Sequence, residues 1–175
     1  MKKIIYIILI FIILAFFAWY SYSNKTKIIV TDFISCLEAG NPAMESYPRQ
    51  CIDPKGNETF VENIGNIFEV QDLIELYTPR PNDKISSPLV LEGQAVGSWY
   101  FEGDFPVILT DWDGKIIAEH YLTAQPDPRS NIIPFKGILE FEKPAYGERG
   151  TLILQKDNPS DLRELDNALE IPIIF

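Results

Sequence analysis

The sequence contains few of the residues on which enzymes usually rely for nucleophilic or acid–base chemistry. Histidine occurs once, at His120, and cysteine occurs twice, at Cys36 and Cys51. No G-x-S-x-G elbow is present, and no nucleophile stands beside a base. Basic residues are scarce as well: from residue 24 onward, 13 basic residues face 25 acidic ones, a net charge of −12. The shortage of catalytic residue types argues against an enzyme. The shortage of basic residues argues against binding to nucleic acid, while a cationic partner remains possible.

Glu102 and Asp104 form the pair of carboxylates that most invites a catalytic interpretation, since glycoside hydrolysis uses two. They stand two positions apart on either side of Gly103, in a predicted turn where acidic side chains are usually solvated. We therefore predict no catalytic residue and no cofactor, and retain Glu102 and Asp104 as candidate contacts for a partner. A hydrolase remains an alternative that requires a pocket of convergent carboxylates around Glu102.

One long apolar run stands near the start of the chain. The segment from Ile4 to Tyr20 carries no charge and follows two lysines, and its 17 residues are close to the length of about 20 that a membrane-spanning helix needs. The bulky Trp19 and Tyr22 near its end make a poor cleavage site but a good interfacial aromatic belt. We predict an uncleaved signal-anchor over residues 1–23, with a cleaved signal peptide as the alternative.

The two cysteines indicate the compartment in which the rest of the chain lies. Cys36 and Cys51 are 15 positions apart and lie just beyond the apolar run. This arrangement predicts a disulfide in an oxidising compartment, where closing the loop stabilises the fold by roughly 3 kcal/mol. A reduced pair or a two-ligand metal site is the alternative. With the anchor, the disulfide predicts a single-pass protein of the cell membrane whose C-terminal part is extracytoplasmic.

Residues 24–66 are predicted to form a small module around these cysteines. It should begin with a short amphipathic helix that stops at Gly40 and has an apolar face made of Ile28, Ile29, Phe33, Ile34 and Leu37. A turn-rich loop comes next, with prolines at Pro42, Pro48 and Pro54.

From residue 67 to residue 175 the sequence is typical of an all-β domain. Short alternating runs are separated by Gly, Pro, Asn and Asp, and ten of the 13 prolines fall between Pro79 and Pro172, which disfavours helices. Asp113-Gly114 predicts a tight hairpin turn, and Pro172 places the last strand at a sheet edge. About seven strands in this length predict an immunoglobulin-like β-sandwich.

The aromatic residues of this domain are predicted to divide between core and surface. Alternation places Trp99, Phe101 and Phe105 on the inward face of the sandwich, with Tyr100 opposite. Trp112, at the tip of the predicted hairpin, has little core to enter, so we expect it to contact either a partner or the preceding module.

The acidic loop at residues 156–170 raises the question of a metal. Four of its side chains offer hard oxygen ligands suited to calcium: Asp157, Asn158, Asp161 and Asp166. Their spacing matches no EF-hand, and the same residue types are ordinary in turns. We predict no metal site, and the sequence leaves calcium binding by this loop undecided.

The stretch "ISSPLVLEGQAVGSWYFEGDFPVILTDWDGKIIAE" carries a family resemblance, extended by "IPFKGILEFEKP", "GTLILQKDNPSDL" and "LEIPIIF". Over residues 72–175 the chain resembles the immunoglobulin-like domain of bacterial spore germination. The resemblance implies a sandwich without enzymatic activity, held at the outer face of a bacterial membrane. It supplies no catalytic residues.

We therefore expect a non-enzymatic, membrane-anchored, extracytoplasmic protein with an interaction or structural role in the bacterial cell envelope, with a link to germination. Its expected partner is an envelope protein or a glycan, contacted through the loops at residues 97–104, 123–132 and 157–167. The alternative is a carbohydrate- or peptidoglycan-binding module that uses Trp112 and neighbouring aromatic residues.

Overall fold

The computed structural model describes Ile13, Phe16 and residues 28–125, 131–160 and 162–175. Apart from Ile13 and Phe16, the predicted anchor at residues 1–23 lies outside the described residues. Among the residues described, none belongs to a helix with the length and apolar character needed to cross a membrane. The chain divides into two compact units, with the boundary after Glu62.

The first unit is a small module built around a disulfide bond. Helix α1 (Phe33–Glu38) precedes three short antiparallel strands, β1 (Ala43–Met44), β2 (Gln50–Asp53) and β3 (Glu58–Val61). The bond joins Cys36 in α1 to Cys51 in β2, and both cysteines are fully buried. The predicted disulfide is therefore confirmed.

Helix α1 is shorter than the sequence pattern predicted. It starts after Asp32, whose side chain accepts a hydrogen bond from the backbone N–H of Ser35 at 2.7 Å and so caps the helix. Ile28 and Ile29 precede this cap and are exposed, so their inclusion in the helix was wrong. The apolar periodicity also includes residues on the N-terminal side of Asp32. The cap at Asp32 nevertheless sets the first residue of the helix at Phe33.

An ion pair between a half-exposed arginine and a buried glutamate stabilises the β2–β3 hairpin of this unit. The Arg49 guanidinium contacts the Glu62 carboxylate through Nε at 2.9 Å and a terminal nitrogen at 2.5 Å. Glu62 is almost fully buried, so the two-point contact satisfies a carboxylate that would otherwise be costly to bury. Arg49 also lies over the Phe33 ring, 5.3 Å from its centroid.

The second unit, residues 63–175, is an all-β domain. After the one-turn helix α2 (Ile67–Val70), its described residues form seven strands: β4 (Ile74–Thr78), β5 (Leu89–Val96), β6 (Asp104–Asp111), β7 (Ile116–Ala124), β8 (Ile132–Leu139), β9 (Arg149–Gln155) and β10 (Ala168–Ile174). The predicted number of strands and the all-β class are confirmed.

The seven strands are connected by hydrogen bonds in the order β10-β9-β6-β7-β8-β5-β4, and every neighbouring pair is antiparallel. They form a three-stranded half (β4, β5, β8) and a four-stranded half (β10, β9, β6, β7). Among the described residues, the halves are joined at Thr123 and Ala124, which pair with β8. On the opposite side a bridge between Lys84 and Ile174 nearly closes the sheet. The fold is thus sandwich-like, but its halves are continuous, whereas the sequence predicted a separate pair of sheets.

The core lies between the two halves, and strands β5, β9 and β10 show it most clearly, because buried apolar side chains alternate along them with more exposed ones. In β5, Leu89, Leu91 and Ala95 are buried while their neighbours are more exposed. The inward residues of the other strands are mostly leucine, isoleucine and valine, with Phe105 and Phe135 in edge-to-face contact at 5.0 Å between ring centroids.

The predicted core aromatics are correct at two positions and wrong at one. Trp99 and Phe105 are buried, but Phe101 is 44 % exposed. A 3₁₀ turn at Gly97–Trp99 interrupts the extended conformation, so strict alternation does not continue through Tyr100 and Phe101. Tyr100 takes the inward role instead, with its ring edge-to-face with Phe105 at 5.2 Å.

Strand β10 is the edge that Pro172 predicted, and neighbouring segments cover it. The Asn66 side chain accepts from the Glu170 N–H and donates to the Ala168 carbonyl, both at 2.8 Å. Further along, the Asn82 N–H donates to the Pro172 carbonyl at 2.7 Å. Few backbone groups of β10 therefore remain available for pairing with another chain.

Candidate functional site

The predicted contacts Glu102 and Asp104 lie in a tight turn at the start of β6. Phe101 and Asp104 exchange two backbone hydrogen bonds of 3.0 Å, and Glu102 and Gly103 both have positive φ, 53° and 92°. This is the geometry of a two-residue hairpin turn of the mirror-image type. Glu102 is exposed and Asp104 is half-buried, so the turn presents one carboxylate to solvent.

Three loops meet at this end of the domain, which we call the loop end. The Ala124 N–H donates to the Gly103 carbonyl at 2.8 Å, and the Asp157 N–H donates to the Trp99 carbonyl at 3.0 Å. The predicted contact loops 97–104, 123–132 and 157–167 are thus close together, although residues 126–130 and Asp161 lie outside the described residues. An open pocket of about 340 Å³ lies beside them, lined by Pro106, Gln155, Lys156, Asp157, Asn158, Arg163 and Asp166.

The polar groups of the loop between β9 and β10 are largely bonded to one another. The Asn158 amide donates to the Asp166 carboxylate at 2.7 Å and to the Leu162 carbonyl at 2.9 Å, while Lys156 donates to the Leu165 carbonyl at 3.0 Å. Within the described residues, which omit Asp161, no cluster of three or more metal-ligating side chains occurs. These bonds shape the loop, and four charged side chains line the pocket: Lys156, Asp157, Arg163 and Asp166.

Trp112 lies at the opposite end of β6, at the tip of the β6–β7 hairpin. The Asp111 side chain accepts from the backbone N–H groups of Asp113 and Lys115, at 3.0 and 2.9 Å, and Gly114 adopts φ = 80°. A hairpin turn occurs where the sequence predicted one, but it is centred on Trp112 and Asp113, because the Gly114 N–H donates to the Asp111 carbonyl at 3.1 Å and Asp113 does not have the positive φ of an Asp-Gly turn. Its geometry projects Trp112 outward, and the indole is 64 % exposed.

The exposed indole rests against Gly147 in the loop before β9. A Cβ atom at position 147 would stand 2.3 Å from Cδ1 of Trp112, closer than any side chain permits, and Gly147 has φ = 79°. Glycine at this position therefore lets the backbone approach the ring and hold it at the surface. A large apolar side chain that is both exposed and held in place is suited to binding.

The residues proposed as partner contacts do not form one site. Glu102 and Asp104 lie at the beginning of β6, and Trp112 comes directly after its last residue. Eight extended residues separate the two ends by about 25 Å. The sequence could not show this separation, because it depends on β6 running straight through the sheet.

Tyr146 belongs to the same end as Trp112 and was missed in the sequence. It directly precedes Gly147 and is 83 % exposed. Its position among Pro144, Gly147 and charged residues was the available signal, since an aromatic ring in a turn-rich loop has little core to enter. We call Trp112 and Tyr146 together the aromatic end of the domain.

His120 lies on β7, opposite Val107 of β6, and is exposed.

The seven antiparallel strands, the buried Trp99 and the loops gathered at each end define an immunoglobulin-like domain. A family match is consistent with this class: residues 73–162 match the family described as the immunoglobulin-like domain of bacterial spore germination. The chain belongs to this family, as its sequence resemblance predicted. Domains of this kind are generally non-catalytic. No curated protein and no solved structure is similar enough to the chain to count as a match.

Proposed function

We propose that this chain is a non-enzymatic binding protein of the bacterial cell envelope. In this proposal, residues 1–23 anchor it in the membrane, the disulfide module lies outside the cytoplasm, and the immunoglobulin-like domain contacts another envelope component. The observation that carries the binding role is the exposed indole of Trp112, held against Gly147.

Two further observations support the extracytoplasmic position. The apolar run from Ile4 to Tyr20 has the composition of a membrane anchor. The buried bond between Cys36 and Cys51 is of the kind that persists in oxidising compartments. The family supports a role connected with spore germination, and deletion of the gene in a spore-forming host should then delay germination.

Site-specific cross-linking in the native host tests the binding role. A photoreactive phenylalanine analogue at position 112 should give a discrete cross-linked product with one envelope component. The matched control places the analogue at Val90, which is exposed on the outer face of the three-stranded half. Equal products from both positions, or none from position 112, would contradict a binding role for Trp112.

A glycan is the second candidate partner, favoured by the two exposed aromatic rings at the aromatic end. Sugars stack on rings that are accessible and fixed, and both features apply to Trp112. The full-length chain should be retained on insoluble peptidoglycan, and Trp112→Ala and Tyr146→Ala should each reduce retention. Tyr121→Ala, which removes an exposed tyrosine elsewhere, is the control. Absence of retention by the native chain would exclude this candidate.

A further inference from the structure

The edges of the second unit differ in how well they are protected. Strand β10 is covered by Asn66 and by residues 82–85, and β4 is short, has a register shift after Leu76 and runs into Pro79. Strand β7 has nine residues and no proline. Along most of its length, no described strand pairs with its outer side, because β8 meets the chain only at Thr123, Ala124 and Gln125 and diverges before Thr123.

The direction of the backbone groups shows which of them are unpaired. The bond from the Ala124 N–H to the Gly103 carbonyl sets the phase of the β6–β7 ladder, so Leu122 and His120 direct their backbone groups toward β6. The alternate residues direct theirs away from β6. At Thr123 this outer side meets β8, but at Tyr121 and Glu119 it meets no strand among the described residues.

The side chains of this segment agree with an open edge. Glu119, His120 and Tyr121 alternate between the two faces of the sheet, yet all three are exposed, and Tyr121 is 60 % exposed. Both faces are therefore accessible beside the strand, as an additional strand requires.

The negative charge of the β6–β7 hairpin indicates which kind of additional strand could pair with this edge. From Glu102 to Ala124 the chain carries five acidic residues and one basic residue, Lys115. Glu119 stands on the open segment itself, and Tyr121 offers a ring on which a cation can stack. A positively charged strand is attracted to this edge, whereas a second copy of the chain, with a net charge of −10, is repelled.

We propose that the outer edge of β7 at Glu119–Tyr121 binds an extended, positively charged segment of another protein, which adds as a strand to the four-stranded half. Backbone hydrogen bonds hold the segment, and its cationic side chains contact Glu119 and Tyr121. The inference rests on the proposed binding function, but it uses a site other than Trp112.

Peptide binding to the full-length chain in detergent micelles tests the proposal. The probe is a fluorescent peptide that alternates lysine with valine, and the control peptide alternates glutamate with valine. Fluorescence anisotropy should show binding of the lysine peptide alone. Hydrogen exchange should slow at the backbone N–H groups of Glu119 and Tyr121 when it binds. Failure of the lysine peptide to bind, or binding without this protection, overturns the proposal.

Matched variants separate the edge from general electrostatic attraction. Glu119→Lys should weaken peptide binding roughly five-fold. Glu170→Lys makes the same change of charge in the same row of the sheet, on the protected strand β10, and should leave binding unchanged. Equal weakening by both variants overturns the edge site.

Two further measurements complete the test. Tyr121→Pro removes both an outward N–H and the Tyr121 ring without a change of charge, and should weaken binding by at least roughly five-fold. Trp112→Ala should bind the peptide unchanged, so that failure of the Trp112 experiments and failure of this one can be told apart. Dimerisation of the chain through β7 in the absence of peptide would overturn the assignment to a different protein.

Discussion

Tyr100 joins the loop end to the core through both its ring and its hydroxyl group. The ring lies against Phe105, and the hydroxyl donates to the Ile133 carbonyl at 2.7 Å. Because burial disfavours the phenolate, the pKa of Tyr100 is raised from 10.0 to about 12. The unfolded chain therefore loses this proton at lower pH than the folded chain does.

This difference predicts a loss of stability at high pH. The contribution of Tyr100 is fully present below pH 10, and it declines as the pH rises toward 12, since the unfolded state ionises first. Tyr100→Phe should lower the free energy of unfolding by about 1 kcal/mol at neutral pH, through loss of the hydrogen bond. Urea unfolding at pH 8 and pH 11 should show a smaller decline with pH for Tyr100→Phe than for the native chain. Equal declines would contradict the burial of the hydroxyl.

Gly147 is a second position where a single residue is decisive, because its lack of a side chain lets the Trp112 ring lie against the backbone. Its positive φ and its contact with Trp112 each exclude a side chain. Gly114 has nearly the same φ, 80° against 79°, but no atom lies within 4 Å of the position its Cβ would take. Substitution of Gly114 therefore measures the cost of backbone strain alone, whereas substitution of Gly147 measures backbone strain together with the steric contact.

Gly147→Ala should thus destabilise the chain more than Gly114→Ala does. Both variants incur backbone strain of about 1 kcal/mol, and only Gly147→Ala must also displace the Trp112 ring, which should roughly double the loss. Urea unfolding gives the energies, and fluorescence of Trp112 reports its displacement. Equal destabilisation, with unchanged fluorescence, would mean that the ring does not rest on Gly147.

Among the elements, strand β10 depends on a residue far away in sequence. Asn66 uses both ends of its amide on this strand, and the partners, Ala168 and Glu170, are more than 100 positions away. This contact protects the edge and fixes the segment that leads into β4.

Asn66→Ala should lower the free energy of unfolding by about 2 kcal/mol, because two hydrogen bonds are lost. Asn63→Ala is the control, since the Asn63 side chain accepts a single local bond from the Gly65 N–H. Urea unfolding should rank Asn66→Ala as clearly the less stable variant, and hydrogen exchange should become faster at Glu170. If the two variants are equally stable, Asn66 does not secure the edge.

Local patterns predicted most strands, and distant contacts account for what they missed. Alternation in β5 and the presence of a hairpin turn after β6 are local properties, so the sequence contained them. The exposure of Phe101 results from a 3₁₀ turn that alternation does not encode, and the start of α1 results from the cap at Asp32. The Asn66 contacts and the open edge of β7 depend on strand order, which no short stretch of sequence contains.

At the scale of the whole molecule, local sequence patterns also could not predict how the candidate partner contacts are distributed over the surface. The sequence identified Trp112 as exposed because it stands at a hairpin tip. It grouped Trp112 with Glu102 and Asp104, although β6 places them about 25 Å apart. The domain thus offers three separate surfaces: the loop end, the aromatic end and the edge of β7.

We propose that the immunoglobulin-like domain lies outside the cytoplasmic membrane, and the accessibility of a surface thiol tests this position directly. Ser86 is exposed, and Cys36 and Cys51 are joined to each other, so Ser86→Cys introduces the reactive thiol for a direct test. A membrane-impermeant maleimide is applied to intact host cells and to lysed cells. We expect equal labelling of Ser86→Cys in both samples, whereas labelling that requires lysis would contradict an extracytoplasmic position of the domain.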